Sequence, residues 1–254
     1  MNFLSCDKWL KELRTAKTTA EITLIERAVR QSDIGILFAL QHMEGSMACC
    51  GYTLAEFSER IRVHIYEAGG SGVGNMSVLQ GKDSKLRYSL PSGKFIPGSL
   101  LRMEISNHFF GYWSSMCRMA VIGTPSKKQD LAYEKNIYLK KVAIEMLKPG
   151  TECSAVYDKV LTTARKEGIR LWTKGCIGQG IGCREREGPC IYPKENNPLE
   201  PGMLVVLSIF THGPKRELLC NKDAYVIEEK GPRLLSWYKN WEQLYRVTGF
   251  RSAH

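Results

Sequence analysis

The sequence lacks several features that would narrow its class. No apolar run approaches the roughly 18 residues that a membrane-spanning helix needs, so no membrane span is predicted. Its N-terminus mixes charged with apolar side chains and lacks the apolar core of a secretory signal, which predicts an intracellular, cytoplasmic protein. The nine cysteines form no Cys-x-x-Cys pair, so we expect reduced thiols rather than a zinc ribbon or a disulfide framework.

Acidic residues are also in deficit. The chain has 36 Lys and Arg against 26 Asp and Glu, and the net charge of +10 would favour acidic partners. The basic residues are scattered among acids, however, and no aromatic-basic RNA-binding motif or helix-turn-helix pattern stands out. A solvated basic surface is therefore favoured over a dedicated nucleic-acid site, although the charge does not exclude one.

The apolar periodicity predicts two rounds of helices followed by strands. Thr18 with Glu21, and Thr53 with Glu56, have the spacing of a capping box, which marks a helix start. Further helices are predicted at Lys127–Leu147 and Glu152–Glu167, and strands at Met76–Leu79, Leu100–Asn107, Ser114–Ile122, Arg170–Thr173, Met203–Phe210 and Ala224–Glu228. This order predicts an α+β fold, with a lead-in at 1–17, one domain at 18–231 and a tail at 232–254.

A weak internal repeat supports a duplicated fold. The segment Phe95–Ile105 resembles Leu199–Ile209, and in each copy a Pro-Gly turn precedes an apolar strand. Glu104 and Ser208 occupy the same place in the two copies, so a pseudo-twofold arrangement would bring both to a shared central cleft. Proteins built in this way commonly hold a site between their halves.

Several spaced motifs then carry a family resemblance. Gly178 to Gly182 resembles Gly-His-Gly-Ile-Gly, Gly111 to Arg118 resembles Gly-Tyr-x-Ser-Asp-x-x-Arg, and Leu199 to Met203 resembles Leu-x-Pro-Gly-Met. The chain is thereby similar to the family of methionine aminopeptidase, aminopeptidase P (Xaa-Pro peptidase), prolidase and creatinase. The resemblance implies the pita-bread fold, in which duplicated helices pack on a curved, mainly antiparallel sheet. It begins near Leu10, so only a stub of the large N-terminal domain of aminopeptidase P and creatinase is expected.

The same resemblance implies that the catalytic metals are lost. Active peptidases of this family use two Asp, one His and two Glu as metal ligands. The corresponding positions here are Glu104, Ser115, Gln179, Ser208 and Lys222. One carboxylate opposed by an ammonium does not suit two bridged divalent cations, so we expect no metal and no cofactor. The family's other two histidines correspond to Arg186 and to Arg87 or Tyr88, so a creatinase-like reaction would also lack its acid/base.

The replaced site has two interpretations. Glu104 and Lys222 could form a structural ion pair that only avoids an unpaired buried charge. They could instead line an anion or zwitterion pocket, with Lys222 and Arg186 as cationic clamps and Glu104 facing a substrate amine. The candidate catalytic residues are Glu104, Arg186, His212 and Lys222, and the candidate ligand-binding residues are Tyr88, Ser115, Gln179, Cys183 and Ser208. His212 is the nearest candidate proton carrier, although a surface role is favoured for it.

Two further features leave alternatives open. Cys117, Cys183 and Cys220 fall near the former metal site in motif terms, where buried structural thiols are favoured over a soft-metal centre. The tail from Leu234 to Tyr245 is interpreted as an aromatic amphipathic helix. It would cap the cleft, pack on a second subunit or, most simply, pack on its own domain.

The leading functional hypothesis is a metallopeptidase-like protein that has lost its metals and its peptidase activity. It would bind a small molecule, a peptide-like ligand or a protein partner through the former active-site cleft. The alternative is a metal-independent enzyme of changed chemistry, such as a small-molecule lyase, isomerase or hydrolase. A homodimer is expected from the family.

Overall fold

A computed structural model describes residues 6–46, 53–81, 83–86, 88–172, 175–238 and 240–248. The helices are α1 Asp7–Thr15, α2 Thr19–Ser46, α3 Leu54–Glu67, α4 Lys127–Met146 and α5 Cys153–Lys166. The strands are β1 Gly72–Gln80, β2 Leu100–Phe109, β3 Tyr112–Trp113, β4 Met116–Ile122, β5 Leu171–Trp172, β6 Gly178–Gly180, β7 Glu187–Ile191, β8 Leu204–Leu207, β9 Phe210–His212, β10 Leu218–Leu219, β11 Asp223–Glu228, β12 Gly231–Leu234 and β13 Tyr245–Val247. Thr173, the last residue of one predicted strand, lies outside the described residues.

Reciprocal caps fix the starts of α2 and α3. The Thr18 backbone N–H donates to the Glu21 carboxylate at 2.8 Å, and the Glu21 N–H donates to the Thr18 hydroxyl at 3.3 Å. Thr53 and Glu56 make the same pair of bonds at the start of α3. Each cap satisfies backbone donors that the first helical turn leaves unpaired. The structure confirms both predicted helix starts.

Two layered halves follow from the order of the elements. In the first sheet the strand order is β1-β2-β4-β13, and in the second it is β12-β11-β8-β6-β7. The buried apolar faces of α2 and α3 pack with the first sheet, including Ile25, Phe57 and Ile105. The helices α4 and α5 pack with the second sheet through residues such as Val156 and Val205. The α+β fold class is confirmed.

The predicted internal repeat is visible in the backbone. Gly98 precedes β2 with φ +73°, and Gly202 precedes β8 with φ +84°, a region that only glycine enters readily. The Gly98 N–H donates to the Ile122 carbonyl at 2.7 Å, and the Gly202 N–H donates to the Ile227 carbonyl at 2.9 Å. In both halves the turn therefore closes onto the antiparallel neighbour in the same way.

A short backbone bridge joins the two halves. Cys117 of β4 and Lys222 exchange N–H···O bonds of 3.2 and 3.1 Å. Arg118 donates to the Lys222 carbonyl at 2.8 Å, and its guanidinium also bonds Asp33 of α2 at 3.0 Å and Asp223 of β11 at 2.6 Å. Because Arg118 and Asp33 are fully buried, this charged cluster stays intact only while each charge has a partner.

The tail corrects one prediction. Instead of a helix over 234–245, the chain forms β12, a single 3-10 turn at Asn240–Glu242, and β13. β12 pairs with β11, β13 pairs in parallel with β4, and Trp241 is buried. The backbone of the tail is thus held by two sheets, which outweighs the local aromatic pattern. The tail therefore packs on its own domain, which was the simplest of the three alternatives drawn from the sequence.

Across the residues that the structure describes, no helix combines the length and apolarity that a membrane crossing requires.

Candidate functional site

The centre of the candidate site is an ion pair between the two halves. Glu104 of β2 pairs in register with Cys117 of β4, and Cys117 bridges to Lys222. The three residues thus lie in one row across adjacent strands. Lys222 Nζ donates to Glu104 Oε1 at 3.1 Å, and both side chains are about 95% buried (5% and 6% exposed). The ammonium therefore lies against the carboxylate at the join between the halves.

Three other predicted positions lie on neighbouring strands or directly beside them. Ser115 is buried and immediately precedes Met116, which pairs with Ile105 next to Glu104. In the second sheet, Gln179 pairs with Val206, and Asp223 pairs with Leu207. Because side chains alternate along a strand, Gln179, Ser208 and Lys222 share one face of this sheet.

A polar contact that the sequence did not reveal joins β1 and β2 to the glycine-rich loop, residues 178–188. Glu185 accepts a hydrogen bond from the Ser106 hydroxyl at 2.6 Å and another from the Asn75 side chain at 2.7 Å. Gln179 donates to the Glu185 carbonyl at 3.3 Å. Ser106 lies two residues after Glu104 on β2, so its side chain takes the same face. The Arg-Glu-Arg-Glu stretch at residues 184–187 gave no indication that the Glu185 side chain bonds to the first sheet.

The glycines of this loop are required by close packing. A Cβ on Gly180 would lie 2.0 Å from the Gly188 carbonyl oxygen, and one on Gly182 would lie 2.5 Å from Glu187 Oε2. Neither Cβ has room, because the first neighbour is backbone and the second is a carboxylate held on several sides. The loop therefore folds back on itself, and a larger residue at Gly180 would separate β6 from β7.

Glu187 anchors the loop to the first helix. Its carboxylate pairs with Arg14 and with Lys17 Nζ at 3.3 Å, and it accepts the Arg184 backbone N–H at 3.0 Å. Burial lowers the pKa of Lys17, and the charge of Glu187 opposes that shift. The sequence lead-in thus contains a helix, α1, and Arg14 of this helix holds the loop together with Lys17 just beyond it.

The remaining predicted residues are Arg186, Cys183, Tyr88 and His212. Arg186 and Cys183 are exposed on the loop, and Arg186 lines a groove with Lys11 and Arg14. Tyr88 is 49% exposed, and Arg87 lies outside the described residues. His212 lines a different cavity, described below. The functional roles assigned to these residues remain predictions.

The donor set does not fit a dinuclear metal centre. The positions that would ligate two cations hold one carboxylate, two hydroxyls, one amide and an ammonium, and the ammonium already pairs with the carboxylate. Within the described ranges, no three His, Cys, Asp or Glu side chains come together as a metal group. The same result removes geometric support for a soft-metal site formed by Cys117, Cys183 and Cys220.

Comparison with protein families settles the lineage. Residues 23–233 match the model of metallopeptidase family M24. The chain belongs to this family. Among M24 relatives, the Xaa-Pro dipeptidase of Pyrococcus furiosus is 25% identical over 236 residues, and that of Pyrococcus horikoshii is 22% identical over 236 residues. Each alignment covers 92% of this chain but 66% of the relative, so the chain spans just under two thirds of these relatives.

Solved structures show the same M24 fold. An X-Pro aminopeptidase from Thermotoga maritima superposes with a TM-score of 0.88 at 20% identity, covering 96% of this chain and 68% of that one. Prolidase from Pyrococcus furiosus gives 0.84 at 23% identity, covering 94% and 70%. The N-terminal domain of FACT complex subunit SPT16 from chickpea gives 0.78 at 20% identity, covering 91% and 61%. The pita-bread fold is thereby confirmed.

Proposed function

We propose that this M24 protein has lost its two metals and its peptidase activity, and uses the former cleft to bind a ligand. The observation that supports this proposal most directly is the ion pair between Lys222 and Glu104. Both occupy positions that the family resemblance assigns to metal ligands. An ammonium in that place repels a divalent cation and neutralises the one carboxylate left in the set.

The chemistry of the cleft favours a peptide-like zwitterion. A zwitterion that enters between the two side chains would meet Lys222 with its carboxylate and Glu104 with its amine. Ser106 and Glu185 keep further hydrogen-bonding groups on the same side. A protein partner presenting a chain terminus would meet the same groups. The FACT subunit with this fold supports such a role only at the level of the fold.

A metal-independent enzyme is the second candidate. It is favoured by the polar character that the cleft retains around Glu104, Ser106 and Lys222, all of which are buried. A site that had lost all use would be expected to fill with apolar side chains, since buried polar groups are costly unless they are paired.

The test is a metal and turnover assay on two proteins. One is the natural chain, incubated with manganese, cobalt or zinc. The other restores the family's ligands by the substitutions Glu104→Asp, Ser115→Asp, Gln179→His, Ser208→Glu and Lys222→Glu. We expect less than about a tenth of an equivalent of metal in the natural chain and about two equivalents in the restored variant. Metal uptake by the restored variant would show that the fold itself still permits a two-metal site.

Both proteins are then assayed on Xaa-Pro dipeptides and on peptides that begin with Met. We expect the natural chain to bind a dipeptide, as measured by calorimetry, without cleaving it. We expect Glu104→Gln to weaken that binding. Stoichiometric metal with dipeptide hydrolysis by the natural chain would overturn the proposal. Cleavage or rearrangement of a dipeptide without metal would favour the second candidate.

Assembly and location complete the proposal. We expect a homodimer, measurable by light scattering on the purified chain, and a cytoplasmic location, measurable by cell fractionation.

A further inference from the structure

A second cavity lies apart from the Glu104–Lys222 pair, between α4, the end of α5 and the turn from β9 to β10. Its volume is about 520 Å³, within the usual range of small-molecule sites. Five basic residues line it: Lys128, Lys135, Arg170, His212 and Arg216. None of its described lining residues is acidic. From the sequence, His212 was interpreted as a surface residue or a proton carrier for the former metal site.

Three elements of the fold gather these charges. Lys128 and Lys135 lie two turns apart on one face of α4. Arg170 follows Gly168 at the end of α5, and its carbonyl accepts the His212 backbone N–H at 2.9 Å. Arg216 lies in the β9–β10 turn with φ +63°, a region where an arginine is uncommon. The cations thus converge from segments that are distant in sequence.

Acidic neighbours do not pair directly with the four charged side chains in the described ranges. In the part of the chain that the structure describes, no ion pair joins Lys128, Lys135, Arg170 or Arg216 to a carboxylate. Exposed cations elsewhere do have such partners, as in the pair of Lys141 with Glu242. Cations around a concave surface raise the local positive potential and concentrate anions there.

Two further groups bear on what would occupy the cavity. Glu217 is buried, does not line the cavity, and accepts the Lys215 backbone N–H at 2.6 Å. His212 Nδ1 is buried and has no hydrogen-bond partner among the described residues. Buried ring nitrogens are nearly always paired. Because this atom is closed off from solvent, a group in the cavity would reach it only after the His212 imidazole turned.

We propose that this cavity binds a phosphorylated small molecule. A phosphate monoester carries nearly two negative charges and three strong acceptor oxygens. Arg170 and Arg216 present guanidinium groups that match such oxygens in pairs, and Lys128 and Lys135 add point charges. A single carboxylate would leave most of the surrounding positive charge unbalanced. The volume leaves room for an organic group beyond the phosphate.

Calorimetric titration with pyrophosphate and with a nucleoside monophosphate tests this inference. The test variant combines Arg170→Gln with Arg216→Gln. The control combines Lys148→Gln with Lys159→Gln, which removes the same charge from exposed positions that do not line the cavity. We expect binding to weaken at least about tenfold in the test variant and to change by less than about twofold in the control. Circular dichroism establishes that both variants are folded.

A third variant, His212→Phe, keeps every lysine and arginine and removes the ring nitrogen. It is expected to weaken binding of the same two probes. The proposal is overturned if neither phosphate probe binds, or if both charge variants lose affinity equally. It is also overturned if acetate competes as well as pyrophosphate. A single-stranded oligonucleotide that binds more tightly than either probe would assign the cavity to nucleic acid instead. None of these outcomes depends on whether the Glu104 cleft binds a dipeptide.

Discussion

Lys222 Nζ lies 3.1 Å from Glu104 Oε1, across a join that the backbone of Cys117 makes between the two halves. The chain brings these residues together over 118 positions of sequence. Desolvation offsets most of the attraction within a buried pair of this kind. The pair matters chiefly because removing either partner would leave the other charge buried and unpaired, at a high cost in free energy.

Lys222→Met is expected to lower the free energy of unfolding by about 3–5 kcal/mol, since it leaves the Glu104 carboxylate buried without its ammonium. Combining it with Glu104→Leu should restore most of the loss, because both charges are then gone. Urea denaturation of the two variants measures the difference. Equal destabilisation in the single and double variants would mean that packing, not charge, dominates at this join.

Asp223 predicts how stability depends on acid. Burial raises the pKa of its carboxyl, but Arg118 and Lys140 outweigh burial and hold the pKa at about 2. The unfolded carboxyl titrates near its ordinary value of about 4, so the stabilisation is complete above that pH. It is lost as the pH falls from about 4 to about 2, and amounts to about 2 kcal/mol.

The measurement is unfolding by urea across this pH range. Asp223→Asn should flatten the decline even though it lowers stability at neutral pH. Asp158→Asn, an exposed carboxylate of α5, serves as the matched control and should leave the slope unchanged. A natural-chain slope that survives Asp223→Asn would place the responsible carboxylate elsewhere.

Gly180→Ala is expected to destabilise the protein by about 3 kcal/mol or more, because the new methyl would meet the Gly188 carbonyl oxygen at 2.0 Å. Gly188→Ala is the matched control, since its nearest neighbour, Thr15 Oγ1, would lie at an ordinary 3.7 Å. Thermal melts of the two variants compare them directly. A tolerated Gly180→Ala would show that β6 and β7 can move apart without cost.

Glu185→Ala should loosen the glycine-rich loop, because it removes the bonds to Ser106 and Asn75. We expect amide hydrogen exchange over residues 182–188 to accelerate by about tenfold or more, with little change in the helices. Arg186→Ala removes an exposed neighbour of the same loop and should leave exchange unchanged. Similar acceleration in both variants would mean that the loop is not held through Glu185.

The elements that short-range patterns encode were predictable from the sequence. The Thr18–Glu21 and Thr53–Glu56 caps and the Pro-Gly turns at Gly98 and Gly202 all appear where the sequence put them. These features depend on residues three apart or on a single backbone angle, which a local pattern records. The register of the family motifs likewise brought Glu104 opposite Lys222.

Contacts between distant segments were not predictable in this way. The tail was predicted as a helix, yet Trp241 is buried against Tyr133, whose hydroxyl donates to the Trp241 carbonyl at 2.7 Å. Nothing near Trp241 in sequence records that partner. The contacts of Glu185 and the clustering of cations around His212 were missed for the same reason. Both depend on which segments the fold brings together, and local sequence does not record that.

The bridge between Cys117 and Lys222 forms late in synthesis, because its two residues lie far apart in the sequence. Arg118 and the Lys222 carbonyl are separated by 104 residues, so β4 and its neighbour β2 leave the ribosome long before Lys222 and β13. Until Lys222 and β13 follow, β4 presents unpaired N–H and carbonyl groups along one side. A nascent chain therefore carries an open strand edge on β4 until its C-terminal segment has left the ribosome.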